Sequence, residues 1–436
     1  MIEYFAIRNY MSYRDRTELS FVASNKEEGR SDGEFAKESW YKLVDGKRLL
    51  RLLIGVGLNG TGKSKLMDAI IYLKRLATVR PVQPSSKPAY MPFMLDDVSQ
   101  HEPTECWLSF YIGETNYLYY IRVSAERIEE EELRVAGART QRVYLRTYNT
   151  ETGHADINFG MALDMNRSDQ RDLEIHLWNN ASVLSTFGSM NLSSPLLRTI
   201  YDYMENQISM VQKSGTQTLA DRLSTGDRVK DEMLKERLLE LLHNVGTNIV
   251  DYEVEQQNLN LMEELNQVGI PQEVVQTLMQ KYIENQQLHQ KKTLRFVHQT
   301  SQGRRMLNSE VESVGTLNIV RILLAYYDVV LGHKTTCLDE IEYGLHTMAL
   351  EFILKSYLAA ADDCQLLVAT HDLQLLRSSF LRRDAIRMFS KNEEGVTDVR
   401  KPEYLHNTVS FFNKYTSQME DEVEANKEFY SMSQFK

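Results

Sequence analysis

The segment Gly57-Leu58-Asn59-Gly60-Thr61-Gly62-Lys63-Ser64 fits the phosphate-loop pattern G-x-x-x-x-G-K-[ST]. Its glycines let successive backbone N–H groups turn toward a β-phosphate, and a helix starting near Lys63 adds its positive dipole end. Lys63 offers a point charge to the β- and γ-phosphates, and the Ser64 hydroxyl is a ligand for Mg²⁺. Asn59, Gly60, Thr61, Gly62, Lys63 and Ser64 are therefore the candidate nucleotide-binding residues. An ordinary glycine turn would not need the buried strand before it and the amphipathic helix after it, and both are written in the sequence.

Three further groups could complete a phosphoryl-transfer site. Asp339 and Glu340 close a short strand, where Asp339 would hold Mg²⁺ and Glu340 would polarise an attacking water. Taken alone, an Asp-Glu pair is ordinarily a solvated helix start; downstream of a phosphate loop it gains meaning. His371 follows the apolar run Leu366–Ala369 at the carboxyl end of a strand, the edge where parallel α/β sheets bind ligands. Ser313 and Gly315 open a helix at Leu317, either as a simple cap or as a second phosphate-binding surface. Lying just upstream of the acidic pair, that surface would face a nucleotide held by another subunit.

The elements needed to position these groups follow from periodicity. Ile2–Ile7 and Thr17–Val22 read as strands around a turn, and Ser24 to Asp45 as a surface excursion. Leu49–Val56 reads as one doubly buried strand, and Ser64–Leu76 carries apolar residues at helical spacing. Pro81, Pro84, Pro88 and Pro92 mark an extended segment. Glu105 to Tyr148 predicts an antiparallel lobe, with Glu129 to Glu132 as a solvated edge or turn. Pro195 to His289 reads as a helical insert, with one face at Leu234, Leu238, Leu241 and Leu242 and another at Val275, Leu278, Met279 and Tyr282. Strand–helix alternation returns after Leu294 and predicts a parallel sheet. The expected division is 1–194 and 293–415 as two halves of one α/β head, 195–292 as the insert, and 416–436 as a polar tail.

Composition sets the outer bounds. The chain has 436 residues, enough for two to three units at roughly 150 residues each. Its net charge of −11 argues against a generally basic, nucleic-acid-coating surface, and Arg304-Arg305 and Arg382-Arg383 are only short patches. Cys106, Cys337 and Cys364 are too few and scattered for a disulfide framework or zinc site, and point to reduced thiols in the cytoplasm. The N-terminus has no secretory pattern. The longest apolar stretch, Leu317 to Gly332, is interrupted by Asn318, Arg321 and Asp328, so a membrane span is not expected.

Taken together, the phosphate loop, the Ser313-Val314-Gly315 motif, Asp339-Glu340 and Thr370-His371-Asp372 resemble an ABC-type ATPase head of the SMC, Rad50 and RecF kind. The opening Ile7–Tyr13 is similar to the first strand and turn of those heads, with Met11 where many have arginine. A closer resemblance is to the AAA15 (RloA-like) ATPases of bacterial anti-phage defence, relatives of the overcoming-lysogenization nucleases. Ile54 to Leu73, Pro92 to Arg146, Val183 to Asn191 and Leu294 to Lys391 carry it, including Asp339-Glu340-Ile341-Glu342-Tyr343-Gly344-Leu345-His346.

That resemblance implies an ABC-type head with a mixed or parallel core sheet, an N-terminal antiparallel β lobe and a helical insert. It makes Asn59, Gly60, Gly62, Lys63 and Ser64 ATP-binding, Asp339 a Mg²⁺ ligand, Glu340 the catalytic base and His371 the switch histidine. Ser313 and Gly315 become a signature acting in trans, so the protein would be at least a dimer, and Tyr343–His346 would cross the dimer interface. No glutamine occupies an obvious Q-loop position. The absence of a guanine-reading Asn-Lys-x-Asp favours ATP. No Asp-x-Asp follows His371, so the Toprim nuclease of related proteins is not expected in this chain. The chain looks like the ATPase half of a two-gene pair such as PARIS or RloA–RloB, restraining or triggering a separate effector in response to DNA or a phage protein. A RecF-like repair ATPase that clamps DNA, and a nucleotide-gated scaffold with little turnover, are the alternatives.

Overall fold

The computed structural model describes residues 1–24, 37–211, 216–224, 228–258 and 290–402. The chain divides into two units, the first being Met1–Val211, Asp328–Glu342 and His346–Lys436, the second Gln212–Tyr327 with Tyr343–Leu345.

The first unit begins with the antiparallel pair β1 (Ile2–Arg8) and β2 (Thr17–Ser20). A hairpin of β3 (Tyr41–Val44) and β4 (Lys47–Leu50) precedes β5 (Leu52–Gly57), which is buried along its whole length. The amphipathic spacing expected after the glycine loop becomes α1 (Lys63–Thr78), with Leu66, Met67, Ala69, Ile70 and Leu73 buried. Five strands then meander: β6 (Thr104–Ile112), β7 (Thr115–Val123), β8 (Ile128–Ala136), β9 (Gln141–Asn149) and β10 (His154–Phe159). Three helices follow, α2 (Arg167–His176), α3 (Val183–Gly188) and α4 (Pro195–Asn206), each N-capped by a side chain: Asn166, Ser182 and Ser194. β11 (Ile208–Val211) comes next.

In the second unit, α5 (Thr216–Leu223) and α6 (Arg228–Asn244) accompany an antiparallel sheet of β12 (Ile249–Asn258), β13 (Gln290–Thr300) and β14 (Gly303–Asn308). The long apolar helix α7 (Val314–Gly332) opens here. Its Ile319, Val320, Leu323 and Leu324 join Leu219, Leu238, Leu242, Tyr252 and Phe296 in one core. By length and composition α7 could cross a membrane, but half of that stretch is buried within the protein. Arg321 lies inside it with Nε donating to Asn318 Oδ1 at 2.8 Å, the pattern of a core helix.

The remaining elements belong to the first unit: β15 (Thr335–Leu338), α8 (Thr347–Ala360), β16 (Gln365–Thr370), β17 (Ile386–Lys391) and β18 (Thr397–Arg400). Two sheets result. One is antiparallel in the order β10-β9-β8-β7-β6-β1-β2; the other runs β11-β15-β16-β5-β17-β18, parallel except for β18. The expected α/β class, with a mixed, mostly parallel core sheet and an antiparallel lobe, is thus the architecture observed. The buried Gln365 side chain links the two sheets. Gln365 accepts from Ile2 N at 2.5 Å and donates to Ile2 O at 2.9 Å and Leu50 O at 3.1 Å.

Several expectations need correction. The run Leu49–Val56 is not one strand but breaks at Arg51, whose backbone N–H donates to Trp40 O and whose guanidinium reaches Asp362 O at 3.0 Å. Within Ser24–Asp45, Trp40 is fully buried rather than on the surface, while residues 25–36 lie outside the described residues. Glu129–Glu132 is no solvated turn: it lies in β8, and alternation sends Glu131 inward to zero exposure. Arg382 and Arg383 form no basic surface patch: both are buried, Arg382 against Asp384 at 2.8 Å. The region expected to be wholly helical contains β11 and β12, because short stretches such as Ile249–Tyr252 find strand partners that periodicity cannot reveal. The unit boundary falls at 211/212 rather than 194/195, α4 and β11 packing with the first unit. The expected faces at Val275–Tyr282 and the tail 416–436 lie outside the described residues.

Candidate functional site

Three adjacent parallel strands, in the order β15-β16-β5, deliver their carboxyl ends to one edge of the core sheet. Gly57 ends β5, Leu338 ends β15 and Thr370 ends β16. The glycine loop, Asp339-Glu340 and His371 therefore leave the sheet on the same side, at the edge where such sheets hold ligands.

The loop after β5 has the backbone that its glycines permit. Gly60 and Gly62 adopt φ of +81° and +100°, which L side chains rarely take. At Gly62 a Cβ would also run into the hydroxyls of Thr397 and Ser12. Thr61 Oγ1 donates to Leu58 O at 2.8 Å and closes the turn from within, so its hydroxyl points into the loop. Asn59 and Gly60 are exposed. Outside the loop, Tyr13 Oη donates to Gly62 O at 2.8 Å, and Thr397 N donates to Ser12 O at 2.8 Å. Nothing local in the sequence marks Ser12, Tyr13 and Thr397 as buttresses, because they meet their partners across 49 or 385 positions.

Lys63, only 9% exposed, donates from Nζ to Gly57 O at 2.7 Å and Leu58 O at 2.8 Å. Burial holds its ammonium below the ordinary lysine range, while the carboxylates of Glu342, Asp339 and Glu340, in that order, pull it back up. In the turn after β15 Glu340 has φ +46°, an uncommon value for a residue with a Cβ, and its N–H donates to Asp339 Oδ1 at 3.0 Å. Ile341 N donates to Ala369 O at 3.2 Å, pinning the turn to β16.

His371 meets the same turn. Its Nδ1 lies 2.5 Å from Glu342 Oε1, and its backbone N donates to that oxygen at 2.7 Å. Nothing in the sequence marks a role for Glu342, since a second glutamate in Asp-Glu-Ile-Glu has no spacing signal of its own. The neighbours of His371 serve structure: Thr370 Oγ1 accepts from Asp372 N, and Asp372 accepts from Thr347 Oγ1 and Gln374 N.

Ser313 and Gly315 belong to the second unit. Ser313 Oγ accepts from Thr316 N at 3.0 Å, capping the first turn of α7. A Cβ on Gly315 would lie 2.5 Å from Gly344 O, so the two backbones meet with no room for a side chain.

The donor set suits a magnesium nucleotide. Ser64 and Asp339 would offer hard oxygen ligands, and no cluster of three or more His, Cys, Asp or Glu among the described residues forms an all-protein metal cage. Mg²⁺ is ordinarily held that way, by one or two protein oxygens plus phosphates and waters. Glu342 Oε2, buried and without a hydrogen-bond partner, adds an acceptor that a metal-bound water would satisfy.

Comparison with known proteins decides the family. The domain family described as "AAA domain, putative AbiEii toxin, Type IV TA system" matches residues 56–377. The chain belongs to this family. The span matched by the AAA family holds the glycine loop, Ser313, Gly315, the acidic turn and His371. Among solved structures, the SMC head bound to the C-winged-helix domain of ScpA is similar, at 12% identity over 92% of this chain and 97% of that one, with a TM-score of 0.44. The SMC head domain from Thermotoga maritima is 13% identical, over 92% and 99% of the two chains, with a TM-score of 0.40. No curated protein matches the AAA-family chain significantly.

Proposed function

We propose that this AAA-family protein is a cytoplasmic ABC-type ATPase that binds and hydrolyses ATP at composite sites between subunits. In this reading it serves in anti-phage defence as the sensor or regulator of a separate effector, such as a Toprim-type nuclease. The observation that carries the ATPase reading is the convergence at one sheet edge of the glycine loop with Lys63, the Asp339-Glu340 turn and His371.

Backbone N–H groups of residues 59 to 64 cradle the β-phosphate, with Lys63 leaving its carbonyl partners to meet the γ-phosphate. Mg²⁺, held by Ser64 and Asp339, would neutralise charge on the β- and γ-phosphates. Glu340 orients the attacking water and takes its proton, and His371 contacts the γ-phosphate. Ser313 and the Gly315 backbone, from a second copy, close over the nucleotide.

Steady-state ATP hydrolysis by the purified protein, with Lys63→Ala as the blank, tests this reading. Turnover that depends on Lys63 and ignores double-stranded DNA ends supports it. Strong stimulation by DNA ends would favour a RecF-like clamp instead, and turnover unaffected by Lys63→Ala would refute the site.

A further inference from the structure

Glu342 is the least solvated carboxylate of the acidic turn, its side chain 7% exposed, and it touches the His371 imidazole. Its Oε1 receives two donors from a single residue, His371 N at 2.7 Å and His371 Nδ1 at 2.5 Å. That double contact fixes both where the residue leaves β16 and how its ring is turned. Donating Nδ1–H to Glu342 leaves Nε2 as the free ring nitrogen, since the partner of one nitrogen sets the state of the other. The ring is half exposed while the carboxylate is buried.

From this geometry we infer that Glu342 is a positioning residue: it holds the His371 ring in the Nδ1–H form with Nε2 presented to the γ-phosphate. The inference rests on the ATPase reading for its catalytic consequence, but the pairing of Glu342 with His371 stands or falls by itself.

Two variants separate positioning from mere stability. Glu342→Gln keeps an oxygen acceptor for both His371 donors; Glu342→Ala removes it. Glu342→Ala should lower kcat about 10- to 100-fold, the effect usual for a residue that orients a functional imidazole, with ATP affinity within about threefold of wild type. Glu342→Gln should recover most of that loss. In a His371→Ala background, Glu342→Ala should cost nothing further. Unchanged kcat in Glu342→Ala, equal damage from Gln and Ala, or independent losses in the double variant would each overturn the inference.

A second measurement needs no turnover. In a side-chain ¹⁵N–¹H correlation spectrum of the whole protein, His371, identified among the 10 histidines by its loss in His371→Ala, should carry its proton on Nδ1. It should keep that signature in Glu342→Gln and lose it in Glu342→Ala. An Nδ1 signal indifferent to Glu342→Ala overturns the pairing. Absence of Lys63-dependent hydrolysis together with an intact Nδ1 signature would discard the ATPase reading and leave the pairing in place.

Discussion

Lys63 folds its ammonium back onto Gly57, Nζ lying 2.7 Å from the carbonyl oxygen of the last β5 residue. A buried cation held by two carbonyls of its own loop is weakly compensated, because carbonyl dipoles replace water only in part. A phosphate would offer it a full opposite charge in exchange for those contacts.

The acidic turn gives the first prediction. Glu340→Gln keeps the shape of the side chain but cannot accept a proton. Its turnover should fall about 10²- to 10⁴-fold, the usual contribution of a general base, while ATP binding persists. Single-turnover and equilibrium-binding measurements together check this; turnover near wild type would remove Glu340 from the role.

A second prediction concerns subunit cooperation. If Ser313 acts across an interface, mixing Ser313→Arg with Lys63→Ala should restore hydrolysis that neither variant shows alone, because mixed dimers regain one complete site. Mixing experiments that yield no activity at any ratio would contradict a composite site.

The antiparallel lobe gives a third. Glu131 is fully buried and accepts from Tyr144 Oη at 2.7 Å, Val183 N at 2.7 Å and Tyr119 Oη at 3.0 Å, thereby anchoring the start of α3 to β8. Glu131→Ala leaves three donors unsatisfied and should cost about 3 kcal/mol or more in urea unfolding. Burial raises the Glu131 carboxyl above its ordinary 4.5, so the folded state binds the proton more tightly than the unfolded one. The stability this adds is complete below that ordinary value and lost as pH rises through the raised one. Wild type should therefore lose stability relative to Glu131→Gln on going from pH 4.5 to 8; parallel profiles would contradict the assignment.

Why Glu131 escaped the sequence while Lys63 did not is a matter of how local each signal is. The glycine loop announces itself because a tight turn needs Gly60 and Gly62 at fixed offsets from Lys63, and the flanking strand and helix have clean periods. Asp339, Glu340 and His371 were legible because they end apolar runs at the same edge of an alternating pattern. A glutamate facing inward from a Glu-Glu-Glu-Glu run looks solvated until its tyrosine and helix partners, 12 to 52 positions away, are known. Glu342 is hidden for the same reason, its donors lying 29 positions downstream. The three-stranded sheet of the second unit was missed because β12 and β13 carry charges such as Glu253, Glu255, Lys292 and Arg295, which are neutral toward strand or helix until paired, as Arg295 and Glu255 are at 2.7 Å.

The central claim is that the loop from Gly57 to Ser64 holds ATP, and titration calorimetry with ATP and Mg²⁺ on wild type and Lys63→Ala tests it most directly. The expected result is saturable binding by wild type and a loss of about tenfold or more in affinity in the variant, the size of a charge-assisted contact. Equal affinities in a folded Lys63→Ala protein, or no ATP binding by wild type, would contradict it.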